Sequence, residues 1–161
     1  MAGYGSDAAL MAYWDAAGYT YAADAPFAAL RQRGSAYLDG TYGLRFPGQP
    51  TGGLSQEREW PRTGATAYGT ALASDLIPAR VEQASYEAAY IELTKPGSLS
   101  ISFDPSKKVK RQKVEGIERE FFEPGDSSNI FAPDAPVSTI IEGLLAPLIG
   151  PVFGQPAIMV V

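Results

Sequence analysis

The sequence predicts a mainly α protein: a small helical bundle with a β-hairpin, a long Gly/Pro-rich loop and an extended C-terminal arm. Three observations predict it. From Ala79 to Thr94, Val81, Ala84, Ala88 and Ile91 recur at three- and four-residue steps and so share one helical face. Two earlier stretches, one before Ala17 and one before Tyr42, repeat that period. After Leu99 the period changes to alternation, and two such runs flank Glu115-Gly116 as in a hairpin.

The elements follow in order. Met1 to Gly5 reads as a mobile leader. Ser6 or Asp7 caps a helix running to Ala17, with Leu10, Met11 and Trp14 as its apolar stripe and Gly18 as its end. Asp24-Ala25-Pro26 starts a second helix. Its stripe is Phe27, Leu30, Gly34, Tyr37, Leu38 and Thr41, with Arg31 and Arg33 facing away. Gly34 on that stripe either admits a neighbouring helix or weakens the helix by about 1 kcal/mol relative to Ala. Gly43 to Leu54 holds too many Gly and Pro residues for a regular element. Trp60 precedes Pro61, so its backbone is extended, and its ring is expected to order the loop by burial against the bundle.

The central helix is the best specified. Pro78 opens it where a missing N–H is harmless, Asp75 is placed to cap it, and Pro96-Gly97 stop it. Ala84, Ser85, Ala88 and Ala89 are small enough to let another helix approach closely. Leu99 to Phe103 reads as a short strand. The hairpin, Lys107 to Val114 and Ile117 to Glu123, has its register fixed by the two-residue turn. Val114 faces Ile117, Lys113 faces Glu118, Arg111 faces Glu120 and Val109 faces Phe122, each pair worth roughly 0.2–1 kcal/mol. Val137 to Leu145 is a short apolar helix with Ile140, Ile141, Leu144, Leu145 and Leu148 as a broad face. The terminal stretch from Gly150 to Val161 lacks any charged side chain and is read as an extended arm. The whole is one domain: bundle about 6–94 and 137–148, hairpin about 99–123, arm 150–161.

Composition narrows the chemistry. The chain has 161 residues and a formal charge of −5, with no Cys and no His. That removes disulfides, thiolate catalysis, most zinc sites and imidazole acid–base mechanisms, so no enzyme and no cofactor is expected. No apolar run nears the ~20 residues that cross a bilayer, no signal peptide is visible, and no membrane partner is expected. Carboxylates, Lys, Ser and Tyr remain as possible catalysts, and the carboxylate pairs Glu57/Glu59 and Glu118/Glu120 could do acid–base work or bind a divalent metal. The second has cross-strand partners and the first lies beside Arg58 and Arg62, so ion pairing is the simpler role. The basic run Lys107, Lys108, Lys110, Arg111 and Lys113 reads first as a polar ribbon with cross-strand charge pairs, and transient phosphate contact is its sharper alternative. Between Lys107 and Glu123, six cations and four anions leave a net +2, so the rest of the chain carries −7. Single-strand binding also wants stacking aromatics, and none stands between Lys107 and Arg119.

Four segments in order carry a family resemblance. They are Gln56 with Trp60-Pro61-Arg62-Thr63-Gly64-Ala65, Ile77-Pro78 opening an Ala-rich helix, Lys95-Pro96-Gly97-Ser98-Leu99, and Val109 to Glu118. Together they resemble the head–tail connector, or adaptor, proteins of tailed phages, whose relatives are often labelled DnaT-like single-stranded-DNA-binding proteins. The adaptor resemblance implies a twelve-fold homo-oligomeric ring in the virion neck. It implies a portal protein above, a tail terminator or next neck protein below, and genomic DNA passing through. It implies no catalytic residues. On that reading Phe46, Trp60 and Arg62 in the loop, and Phe153, Ile158, Met159, Val160 and Val161 in the arm, are the expected subunit or partner contacts. The negative balance, the loop, the hairpin and the apolar arm favour the adaptor; single-strand DNA binding is the alternative.

Overall fold

A computed structural model describes residues 2–100 and 138–149 in full and the backbone of 111–114 and 117–120. Four α-helices make the frame: α1 Asp7–Ala16, α2 Phe27–Tyr42, α3 Ala79–Thr94 and α4 Thr139–Leu145. Three two-stranded antiparallel pairs accompany them: β1 Gln49–Pro50 with β2 Arg62–Thr63, β3 Thr66–Ala67 with β4 Thr70–Ala71, and β5 Arg111–Val114 with β6 Ile117–Glu120. The mainly helical reading therefore stands at the level of class.

α3 is the shared wall of the bundle, packing on α1, α2 and α4. The stripe read from sequence is its buried face: Val81, Ala84 and Ala88 are inaccessible, and Ile91 packs on the core. Small residues do bring α2 close. At Gly34 an added Cβ would collide with the Ser85 carbonyl and lie 2.8 Å from the Ala89 nitrogen. Gly34 is thus an approach point on the stripe, not a flaw in the helix. The start of α3 differs from expectation. Pro78 occupies the N-cap position in extended conformation, no side chain caps the helix, and Asp75 stands exposed before it.

Ser6 caps α1 through its hydroxyl, which accepts from the Ala9 N–H at 3.1 Å. Leu10 and Trp14 are fully buried, and the Trp14 indole donates to the Tyr86 carbonyl at 3.0 Å. The leader is tied to the bundle rather than hanging free of it. Tyr4 is 2 % exposed, and its N–H donates to Ser35 Oγ at 2.9 Å. Arg31 does not face away. Its guanidinium pairs with Asp7 at 2.8 Å and donates to the carbonyls of Gly3, Tyr4 and Gly5, clamping the leader onto α2. Helical periodicity could not show this, because three of the four acceptors lie in the non-helical leader.

The Gly43–Ala65 segment is knitted rather than open. It contains two 3₁₀ turns, Gly43–Arg45 and Gly53–Ser55, and the β1–β2 pair. Trp60, joined to Pro61 by a cis peptide, buries its ring edge-on to Phe46 at 5.5 Å. The segment from Thr66 to Ala71 forms a hairpin that the sequence reading passed over, turning at Tyr68-Gly69. Leu99 and Ser100 lie in turns after α3 rather than in a strand, with the Ser100 N–H donating to the Gly97 carbonyl. The β5–β6 register agrees with expectation: Arg111 opposite Glu120, Lys113 opposite Glu118, Val114 opposite Ile117. The expected Val109–Phe122 pair, residues 101–103 and the arm 150–161 lie outside the described residues. In α4, Ile141, Leu145 and the following Leu148 are buried and Leu144 packs on the core. Ile140 is 53 % exposed, so the apolar face is narrower than expected.

Candidate nucleic-acid interface

The first question is where the cations are free to meet a phosphate. Seven of the chain's thirteen precede residue 101. Five of these pair with carboxylates inside the fold: Arg31 with Asp7, Arg33 with Glu92, Arg45 with Glu142, Arg58 with Asp39 and Arg62 with Glu59. Arg80 and Lys95 are exposed and form no ion pair among the described residues. The other six cations all lie between Lys107 and Arg119.

Arg62 shows how completely such a side chain is used. It is 5 % exposed, and its guanidinium donates to the carbonyls of Pro47 (2.9 Å), Gly48 (2.8 Å), Phe46 (3.3 Å) and Glu59 (3.2 Å) as well as to the Glu59 carboxylate. The planar fork of an arginine suits this convergence of acceptors. Gln56 does the same on the other side of the loop, donating to the carbonyls of Arg58 (2.7 Å) and Pro61 (2.9 Å) and accepting from the Gly52 N–H (2.8 Å). The Gln56 and Trp60-Pro61-Arg62 motif is thus a device for closing the loop on itself. Phe46, Trp60 and Arg62, expected at an interface between subunits, are turned into their own chain, with 5 %, 1 % and 5 % of their surface exposed.

A second knot ties the leader to that loop. The Tyr4 hydroxyl donates to Asp39 and accepts from the Trp60 N–H at 3.2 Å. Arg58 donates to the other Asp39 oxygen at 3.2 Å and to the Ala2 carbonyl at 2.9 Å. Burial raises the Asp39 carboxyl above its ordinary value, opposed by the hydrogen bonds from Tyr4 and Arg58. Burial, with the Asp39 charge second, raises the Tyr4 phenol far above its own. Sequence reasoning missed Tyr4, Asp39 and Arg58 as a unit, since three separate segments contribute one residue each.

An aromatic cluster covers the α1–α3 side. Tyr13 and Tyr19 donate to the Glu87 carboxylate at 2.7 and 3.0 Å, and Glu87 is 5 % exposed. Tyr19 lies flat on Tyr90 with ring centroids 4.0 Å apart. These rings are half-buried, pack on the core and already stack on one another. Between α2 and the turns after α3 lies an open cleft of about 610 Å³, lined by Arg33, Tyr37, Gly40, Glu92, Gly97 and Ser100 among others. Its arginine is matched by Glu92, which also accepts from the Gly97 N–H at 3.1 Å. A phosphate there would meet a carboxylate, so the cleft is a poor anion site. Among the described residues no group of three or more carboxylates is placed to hold a metal ion, and no helix is long and apolar enough to cross a membrane.

Of the sequence-predicted DNA contacts, Arg111 and Lys113 stand on β5 two residues apart, opposite Glu120 and Glu118 in the ladder. Lys107, Lys108 and Lys110 lie outside the described residues, as do the arm positions Phe153, Ile158, Met159, Val160 and Val161.

Residues 2–160 match the model of a protein family described as "Putative DnaT-like ssDNA binding protein". No curated protein and no solved structure matches the chain. The match corrects the preference for a phage head–tail adaptor. The near-full-length finding carries the description that ranked second on sequence grounds, and none of the findings points to a portal, a neck or a ring. Of the features that favoured the adaptor, the loop that was expected to reach neighbouring subunits is closed on its own bundle by Arg62, Gln56 and Trp60. With all but the first and last residues matched, the chain belongs to the DnaT-like ssDNA binding protein family.

Proposed function

We propose that the protein is a non-catalytic binding module for single-stranded DNA. Its phosphate contacts on this reading are Lys107, Lys108, Lys110, Arg111 and Lys113. The observation that carries the proposal is the family match over residues 2–160. The distribution of charge supports it. The helical body uses five of its seven cations to neutralise its own carboxylates, and the basic run gathers five of the chain's eight other cations in one short segment. A ribbon of net +2 on a body of −7 gives a shallow field, screened over about 8 Å at physiological salt. Binding is therefore modest and steeply salt-dependent, and duplex with its denser charge gains no stacking from unpaired bases.

The test is fluorescence anisotropy of a labelled oligo(dT) with the purified full chain, repeated with a duplex competitor. Saturable binding at low salt is expected, weakened sharply between about 50 and 200 mM salt and poorly displaced by duplex. Absence of any binding at low salt, or displacement by duplex as efficient as by single strand, would overturn the proposal.

A further inference from the structure

A base-binding module wants an aromatic ring that is held rigidly and left unpartnered. The basic run has none. The β3–β4 hairpin supplies one at its tip. Its two-residue turn, Tyr68-Gly69, has φ of +50° and +76°, so both central residues are left-handed, as the tight hairpin turn requires. Asn-Gly or Asp-Gly is the usual choice there, because a short polar side chain tolerates that backbone. Tyr68 is the only non-glycine residue at positive φ among the described residues. The residue is 79 % exposed.

The tip is an unfavourable place for a tyrosine that serves only the fold. The ring joins neither apolar core cluster, and its hydroxyl makes no hydrogen bond among the described residues. The stub that carries it is nonetheless anchored. At its base Ala65 is fully buried, Leu72 packs on the core, and the Leu72 N–H donates to the Ala65 carbonyl at 2.9 Å. Thr51 braces the same region, its hydroxyl donating to the Ser74 carbonyl at 2.7 Å and lying 3.1 Å from the Thr63 hydroxyl. From Thr63 to Ser74 no side chain carries charge, so a polyanion reaching the tip meets no carboxylate on the hairpin itself.

Resting on the DNA-binding reading above, we propose that Tyr68 is a base-stacking residue, the ring on which an unpaired nucleobase lies. Every base has a π-face, so the contact is tolerant of sequence and requires only that the base be unpaired.

The experiment uses the full chain and two labelled oligonucleotides of equal length, oligo(dT) and its abasic counterpart, which keeps the phosphates and lacks the bases. Tyr68→Ala is expected to bind oligo(dT) on the order of tenfold more weakly than wild type and to bind the abasic strand equally well. Tyr68→Phe and Tyr68→Trp should retain oligo(dT) affinity, since the ring and not the hydroxyl makes the contact. Tyr68→Gly serves as the folding control. It should lose the same affinity while unfolding at an unchanged or higher temperature, because glycine suits the left-handed turn. Equal oligo(dT) affinity for Tyr68→Ala and wild type would overturn the stacking role and leave DNA binding standing. An equal loss on the abasic strand would do the same. Failure of wild type to bind either strand would overturn both.

Discussion

Tyr4 concentrates what single residues do in this fold. One phenol closes three segments: it donates to Asp39 on α2, accepts from the Trp60 N–H in the loop, and brings its own backbone to Ser35. Its pKa is raised chiefly by burial, so the folded state keeps the proton where the unfolded chain releases it. The sign follows. The stabilisation is complete below the unfolded value of 10.0 and is lost as pH rises through the higher folded value. Just above pH 10 the lost stability amounts to about 1.4 kcal/mol per pH unit for a single buried phenol. Tyr4→Phe should therefore be less stable at neutral pH by about 1–3 kcal/mol, since the Trp60 N–H loses its acceptor. It should also show a shallower alkaline decline than wild type by that per-unit amount. Urea unfolding at neutral pH and at two alkaline values checks both, and parallel alkaline slopes for the two proteins would count against the buried, protonated Tyr4.

At the level of elements, the helices were legible because each writes its buried face at a fixed period. α3 was readable to its last residue, and α2 likewise, since Pro26 and Pro78 punctuate their starts and a stripe of small and apolar residues marks their faces. The hairpin register was readable because a two-residue turn leaves no freedom to slip. What stayed hidden was everything held by polar contacts between distant segments. The leader looked mobile because the clamp on it, Arg31, sits off the stripe of another helix. The loop was expected to be ordered through Trp60, which is buried, but the part played by Arg62 stayed hidden because the carbonyls that hold it have no sequence signature. Tyr68 drew no notice because nothing in the chain announces a left-handed backbone at a non-glycine position.

Two predictions belong to that scale. Gly34→Ala gains helix propensity worth about 1 kcal/mol, yet the new methyl meets backbone on α3 rather than a side chain that can swing aside. We expect a net loss of about 1–3 kcal/mol by chemical denaturation. Gly40→Ala on the same helix meets nothing within 4 Å and should be neutral or stabilising by up to about 1 kcal/mol. Similar effects for the two would contradict the close α2–α3 approach. Arg62→Ala removes one donor group from four carbonyls, and the loop should open while the helices persist. Limited trypsin digestion should then cut after Arg45 or Arg58 in the variant long before wild type is cut, with the far-ultraviolet helical signal retained.

For the molecule as a whole, the described core lies in two clusters on either side of α3. One gathers Tyr4, Leu38, Tyr42, Trp60 and Ile141; the other gathers Leu10, Trp14, Leu30 and Tyr86. Five of the six arginines of this body are ion-paired within it, and the proposed function rests on what they leave unspent: a negative body, one basic run and one displayed ring. That division of labour was only half legible. The basic run is plain in the sequence, whereas the engagement of the other cations depends on where α2, the loop and α4 bring their carboxylates. The most direct test of the division is the salt dependence of oligo(dT) affinity for wild type, for Lys107→Gln/Lys108→Gln/Lys110→Gln, and for Arg80→Gln/Lys95→Gln. On a log–log plot the first variant should lose about 2 from the wild-type slope, at about 0.7 per phosphate contact removed, and the second should lose little. An unchanged slope in the lysine variant, with the loss appearing in the Arg80/Lys95 variant instead, would contradict the assignment of phosphate binding to the basic run.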